Sequence, residues 1–243
     1  MGKIRLYIDH PFGPGQAVPL TGGQAHYLSA VMRQPPGAEI AVFNGRDGEW
    51  TARLVTAGKR GGELELVAPA APQLDPPDLW LVFAPIKKAR TDFIVEKAAE
   101  LGAARILPVQ TDHTNAERIA RDRLQAHAVE AAEQCGGTFV PEVAGLVPLS
   151  RLLDGWDGQR RILWADEALA GVSAGADEPL ARQPRGPWAV LIGPEGGWSE
   201  SERQRLSRMD CVSRISLGPR VLRADTAAVA ALTLWQATLG DWQ

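Results

Sequence analysis

The chain has 243 residues, with 26 Lys/Arg against 29 Asp/Glu and four His, giving a formal net charge of −3. That balance excludes a protein that coats nucleic acid by bulk charge, so any RNA or DNA contact has to be local. With 45% hydrophobic and 23% charged residues the chain builds a real core; at roughly 100 to 200 residues per domain it holds one large domain, or a small one and a medium one. The two cysteines, Cys135 and Cys211, make no Cys-x-x-Cys pair and the histidines are scattered, which predicts neither a disulfide framework nor a metal site. No apolar signal region opens the chain and no run reaches the roughly 18 to 20 apolar residues of a membrane span, so the expectation is a cytoplasmic protein with no membrane partner.

In chain order, residues 3–8, 39–44, 49–55 and 63–67 alternate or are β-branched, and turns at Gly45-Arg-Asp-Gly48 and Gly61-Gly62 join them. They predict a small antiparallel β-domain over residues 1–70, interrupted by one helix from Gly22 to about Arg33, with Thr21 as its N-cap and Pro35-Pro36 as its stop. Residues 69–77 carry four prolines, which favours an extended linker over any ladder or helix and sets a second domain at residues 78–243. Residues 1–72 have a net charge of +1 and the remainder −4, a bias that ordinary solvated charge explains as well as RNA binding does. Beyond the linker, apolar runs at 79–84, 105–109, 161–165, 188–193 and 212–217 alternate with helical stretches, the pattern of a mostly parallel sheet. A helix over 92–101 puts Ile94, Val95, Ala98 and Leu101 on one face, and Gly102 ends it. Ser199-Glu-Ser-Glu202 is a capping box that starts another helix. The final helix, over 225–239, is nearly apolar all round from Ala227 to Leu234, which implies burial or an interface.

The chain has no Gly-x-x-x-x-Gly-Lys-Ser/Thr loop and no Gly-x-Gly-x-x-Gly turn, which removes the usual support for P-loop hydrolysis and Rossmann cofactor binding. Gly171-Val-Ser-Ala-Gly175 fits the hydrolase nucleophile elbow in letters only. Asp166-Glu-Ala-Leu-Ala170 separates it from the preceding strand and no histidine follows His127, so it is a small-residue loop. Two other segments lead from a strand through glycine into a helix: Gly193-Pro-Glu-Gly-Gly197, and Ser216-Leu-Gly-Pro-Arg-Val-Leu-Arg-Ala-Asp-Thr-Ala227. Glycine permits close approach and leaves backbone N–H groups free at the carboxyl edge of a sheet, where ligands bind. The two loops line one pocket if their strands are neighbours.

These two strings, together with residues 88–102, Ile106-Leu-Pro108, residues 26–33 and Phe43-Asn-Gly-Arg-Asp-Gly48, resemble the bacterial 16S rRNA uracil-N3 methyltransferases, often called the RsmE family, in the SPOUT class of knotted methyltransferases. The resemblance covers nearly the whole chain. It implies an α/β fold, with a SPOUT-type trefoil-knotted, mostly parallel sheet domain preceded by a small PUA-like β-barrel that binds RNA. It also implies a homodimer, S-adenosylmethionine as cofactor, and 16S rRNA in the small ribosomal subunit as partner. Ile192, Gly193, Glu195, Gly196, Gly197, Leu217, Gly218, Val221 and Leu222 then fall at the cofactor, with Glu195 near the ribose, near the cofactor's cationic part, or merely capping the turn. One departure is visible: Glu133-Gln-Cys-Gly-Gly137 places Gly137 where members commonly carry arginine, and a cation is lost there.

The implied chemistry sets the remaining expectations. Uracil N3 is a neutral N–H between two carbonyls, so its methylation needs proton removal while negative charge spreads onto O2 and O4. Arg223 is the candidate cation for that charge, and Arg220 engages RNA phosphate or the base edge. Asp225 is a general base, an orienter of Arg223, or the N-cap of the last helix. Arg33, Arg46, Lys87, Lys88 and Arg90 are candidate phosphate contacts, each equally explained as solvated surface. His26 and His113 are a packed and a turn residue outside the catalytic set. The target base has to be looped, single-stranded or flipped. Two alternatives stay open: another SPOUT methylation, of a ribose 2′-hydroxyl or a different base, and a non-catalytic RNA-binding assembly factor.

Overall fold

Strand alternation in the first part of the chain produces β1 (Arg5–Tyr7), β2 (Ala17–Leu20), β3 (Glu39–Phe43), β4 (Glu49–Gly58) and β5 (Gly61–Ala71), ordered β1-β3-β4-β5-β2. The computed structural model describes residues 4–58, 60–171 and 180–242. It divides into two units, Met1–Asp75 with Ala132–Val140, and Pro76–Ala131 with Pro141–Gln243. In the first, every second residue of β4 up to Leu54 points inward, and Trp50, Ala52 and Leu54 pack with Leu6, Val18, Ile40, Val42, Leu64 and Leu66.

Four features of this unit depart from the expected pattern. β1 runs parallel to β3, with Arg5 opposite Ala41, so the sheet is mixed and not antiparallel throughout. A parallel pair needs a crossover, and β2 and the following helix provide it. β2 itself carries Pro19, which an edge strand tolerates because one row of its backbone donors needs no partner. Helix α1 (Gly22–His26) does begin at a reciprocal Thr21/Gln24 capping box, but it continues as a π-helical turn over Tyr27–Val31, where the Met32 N–H reaches the Tyr27 carbonyl at 2.8 Å. Finally, β5 carries Pro69 into the ladder opposite Trp50, so the proline segment begins as strand; the outer edge of β5 bonds Gly15 and Gln16 through Leu66, and past Leu66 no strand among the described residues pairs with that edge, so Pro69 breaks no ladder there.

The second unit contains β6 (Leu79–Phe83), α2 (Lys88–Glu100), β7 (Arg105–Gln110), most of α3 (Arg121–Cys135), β8 (Glu142–Val143), β9 (Val147–Pro148), α4 (Leu149–Asp154), β10 (Arg161–Ala165), β11 (Trp188–Ile192), α5 (Glu200–Ser207), β12 (Val212–Ile215) and α6 (Ala224–Leu239). Its sheet is ordered β12-β10-β11-β6-β7-β8 and every pair is parallel. All five residues of β11 are buried, as a central strand covered on both faces requires. On one face α6 packs against α2 and β11. Gln236, completely buried in α6, donates from Nε2 to the Leu101 carbonyl at 2.7 Å, so the one amide in that apolar helix caps the end of α2. On the other face Trp164, Trp198, Leu191, Leu206, Leu149 and Leu153 form a core, with Trp164 and Trp198 edge to face at 5.9 Å.

Candidate functional site

β10, β11 and β12 end level with one another: Ala165 lies opposite Ile192 on one side and Ile215 on the other. The loops that follow therefore open at one edge. The strands of the two glycine loops are not neighbours, because β10 separates them; the loops meet across its end, which adds a third wall. Together they enclose a cleft of about 810 Å³, including its open mouth, lined by Ala165, Asp166, Glu167 and Ala170, by Ile192–Glu195 and Gly197, and by Ile215, Leu217, Gly218 and Arg220–Ala224. The lining includes Gly193, Val221, Leu222 and Arg223. Gly196 is the exception among the expected cofactor residues: its α-carbon faces His113, whose Cβ would lie 3.0 Å from any added side chain.

Two glycines are required by their surroundings. A Cβ on Gly193 would sit 2.8 Å from the Trp198 indole, and Gly197 combines a φ of 69° with the Glu167 carboxylate directly against it. His113, expected to be a turn residue only, donates from Nδ1 to the carbonyls of Gly196 and Gly197, at 3.0 and 3.2 Å, and so pins the loop from behind.

The third wall carries charge that the sequence reading overlooked. Arg203 of α5 bonds both Asp166 and Glu167, while Arg214 of β12 donates from Nε to Asp166 at 3.1 Å. The Asp166 side chain has no exposed surface. Burial by itself pushes its carboxyl upward, but the hydrogen bonds from Arg203 and Arg214, and one from the Ala168 N–H, outweigh burial and hold it below the ordinary aspartate range. The visible signal was two adjacent carboxylates at the carboxyl end of an apolar strand. Next to them, Ser216 Oγ donates to the Leu169 carbonyl at 3.0 Å and the Gly171 N–H meets the Gly218 carbonyl at 3.3 Å, so the second glycine loop runs against the 169–171 backbone. Of the discarded elbow motif, Val172 to Gly175 lie outside the described residues.

Arg223 is exposed and takes the N-cap position of α6. Asp225 is therefore not the cap; it sits inside the first turn, because the helix begins at Ala224. Nor does Asp225 line the cleft or touch Arg223. Its Oδ2 pairs with Arg90 at 2.5 Å and its Oδ1 accepts the Thr226 N–H at 2.9 Å. Arg90, one of the expected phosphate contacts, thus has an internal partner. Lys87 and Lys88 are exposed at the start of α2, and Arg220 is exposed at the cleft mouth. In the other unit Arg33 is exposed at a φ of 51°, and Arg46 projects from a turn in which Asn44 Oδ1 accepts the N–H groups of Arg46 and Asp47. Among the described residues, no group of three or more His, Cys, Asp or Glu is placed to hold a metal, and no helix is long and apolar enough to cross a membrane.

Comparison with known proteins gives this arrangement a family. Residues 73–236 match the RNA methyltransferase domain and residues 20–67 the RNA methyltransferase PUA domain. A ribosomal RNA small subunit methyltransferase E from Synechocystis is 30% identical over 228 residues, covering 91% of this chain and 73% of the relative. The enzyme of the same name from Neisseria gonorrhoeae, solved with bound S-adenosyl methionine, superimposes with a TM-score of 0.88 at 28% identity over the full length of both chains. A putative methyltransferase from Legionella pneumophila, solved in complex with the same cofactor, gives 0.86 at 28% identity over 99% of this chain and 100% of the other. A mostly parallel sheet whose strand ends converge on one cleft, preceded by a PUA domain, in a chain that matches these models and relatives over nearly its whole length, makes the protein a member of the ribosomal RNA small subunit methyltransferase E family of RNA methyltransferases.

Proposed function

We propose that the protein transfers a methyl group from S-adenosylmethionine to N3 of a specific uridine in the 16S rRNA of the small ribosomal subunit, in the cytoplasm. The observation that carries this reading is the cleft formed where three parallel strands end, with apolar walls on the two glycine loops, carboxylates on the third wall, and two arginines, Arg220 and Arg223, at its mouth. Its residues suit the cofactor. Ile192, Ile215, Leu217 and Leu222 offer apolar contact to a purine, and Gly193, Gly197 and Gly218 keep the backbone accessible beside it. Gly196 supports the turn through His113 without facing the ligand.

When bound, S-adenosylmethionine supplies an electrophilic methyl on a sulfonium. The chain's own task is to hold the base and, as the N3 proton leaves to solvent at the open mouth of the cleft, to stabilise the charge that spreads onto O2 and O4. Arg223 does this, as an always-charged donor in a partly dry cleft, while Arg220 holds RNA phosphate or the base edge. Asp225 is a positioning residue: both its oxygens are engaged, and its ion pair with Arg90 fixes the start of α6, from which Arg223 projects. Arg33, Arg46, Lys87 and Lys88 contact phosphates, with residues 1–70 as a PUA-like RNA-binding domain and residues 78–243 as the methyltransferase domain. Residues 216–218 contact residues 169–171, as a trefoil knot between the segments that follow β10 and β12 requires, and Leu234, left exposed on the otherwise largely apolar α6, supports a homodimer.

The deciding experiment is transfer of a labelled methyl group to small subunits that lack the modification, followed by nucleoside analysis and mapping. Label in N3-methyluridine at one position is expected; label in a 2′-O-methyl nucleoside would overturn the assignment. Under saturating cofactor, Arg223→Ala should lower the single-turnover rate about 100- to 1,000-fold, the usual cost of losing one charge-stabilising donor.

A further inference from the structure

The cleft holds one acceptor that the reading above leaves without a task. We infer that Glu167 recognises the ribose hydroxyls of the cofactor, an inference that rests on S-adenosylmethionine being the ligand of this cleft. A vicinal diol presents two O–H donors and needs an acceptor held still in front of them. The polar side chains lining the cleft are Asp166, Glu167, Glu195, Arg220 and Arg223. Both guanidinium groups only donate. Asp166 spends Oδ1 on Arg203 and the Ala168 N–H and Oδ2 on Arg214, and it has no exposed surface. Glu195 is exposed at the loop tip and, among the described residues, nothing fixes it, so binding there would cost side-chain freedom.

Glu167 differs from all of these. Its Oε1 accepts the Trp198 N–H at 3.3 Å and the Arg203 guanidinium, which locks the carboxylate in place. No donor among the described residues reaches Oε2, and a third of the side chain stays exposed in the cleft wall. A fixed carboxylate with one unspent oxygen is preorganised for short, charge-assisted O–H···O⁻ bonds. The absent side chain at Gly197 serves the same end, since any Cβ there would displace that carboxylate.

Isothermal titration with three ligands separates this role from its rivals: S-adenosylmethionine, S-adenosylhomocysteine, whose sulfur carries no charge, and the 2′-deoxyribosyl analogue of the latter. The wild type should bind the first two and lose about 10- to 100-fold on the deoxy analogue, the size of a charge-assisted hydrogen bond. Glu167→Ala should weaken both ribosyl ligands by the same factor and tell ribose from deoxyribose by less than about threefold. Weakening of S-adenosylmethionine alone would place the carboxylate against the sulfonium and overturn the proposal. So would unchanged affinities, or weaker binding with the ribose preference intact, which is a purely structural effect. Glu167→Gln keeps the side-chain shape between Trp198 and Arg203 but offers the diol only a neutral amide, so it should narrow the ribose preference to a few-fold; if the alanine variant does not fold, an undiminished preference in the glutamine variant overturns the proposal. Failure of the wild type to bind either ribosyl ligand would instead reject the cofactor reading itself.

Discussion

Asp166 is a charge with no exposed side-chain surface at the end of a parallel strand, and only its two arginines make that tolerable. A buried ion pair contributes little net stability, but removing one partner strands the others without compensation. Asp166→Ala should therefore destabilise the protein by about 3–5 kcal/mol, measured by denaturant unfolding. The pH dependence follows from the same contacts. Because the folded-state carboxyl is held below its unfolded value, its contribution is complete at pH values above the ordinary aspartate range and is lost as pH falls through the depressed value. Thermal melts of the wild type should drop steeply on the acid side, and Asp166→Asn should start lower at neutral pH and fall less. A parallel acid limb in the variant would show that other carboxylates control acid unfolding.

At the scale of elements, the capping box at the start of α5 extends beyond its own helix. Ser199 Oγ accepts the Glu202 N–H and donates to Asp112 at 2.5 Å, while Glu202 accepts the N–H groups of Ser199 and Asp112, both at 2.9 Å. The box thus joins α5 to the loop after β7, which also carries His113. Ser199→Ala should cost about 1–2 kcal/mol of stability, the upper part of the N-cap range, and should weaken cofactor binding because the His113 contact to the glycine loop loosens with it. A loss of stability with unchanged cofactor affinity would show that the loop holds its shape without this tie. Such a cap is legible in sequence because all its parts lie within four residues. The apolar runs of β6, β7, β10, β11 and β12 were legible for the same reason. β2 was not, since four residues with a central proline carry almost no periodic signal, and neither was the π-helical turn, whose residues keep a helical pattern. The order of the strands was the deeper gap. Nothing local to residues 161–165 says that they lie between β11 and β12, so the wall built by Asp166 and Glu167 could not be placed; the Arg90–Asp225 pair likewise joins residues 135 positions apart.

For the whole molecule, a net charge of −3 sets the terms on which RNA can be held. A protein of this balance gains little from counterion release along a bare strand, so recognition has to come from a few placed cations and from the shape of the assembled subunit. Turnover on small subunits should exceed turnover on a short bare oligonucleotide containing the target uridine, and equal rates would contradict the proposed mode. Gly137 probes the same balance from the other side. Its carbonyl accepts from Arg5 at 2.8 Å, a contact any residue can make, and an added Cβ would meet the Cys135 sulfur at 3.4 Å and the Phe139 carbonyl oxygen at 3.9 Å, both ordinary contacts. Nothing around its α-carbon demands glycine, so Gly137→Arg introduces there the cation that the family resemblance leads one to expect. If that position faces phosphate, the variant should bind small-subunit rRNA more tightly, and the slope of log affinity against log salt should steepen by about one phosphate contact. Unchanged affinity and slope would show that an arginine at this position has no phosphate partner in this protein.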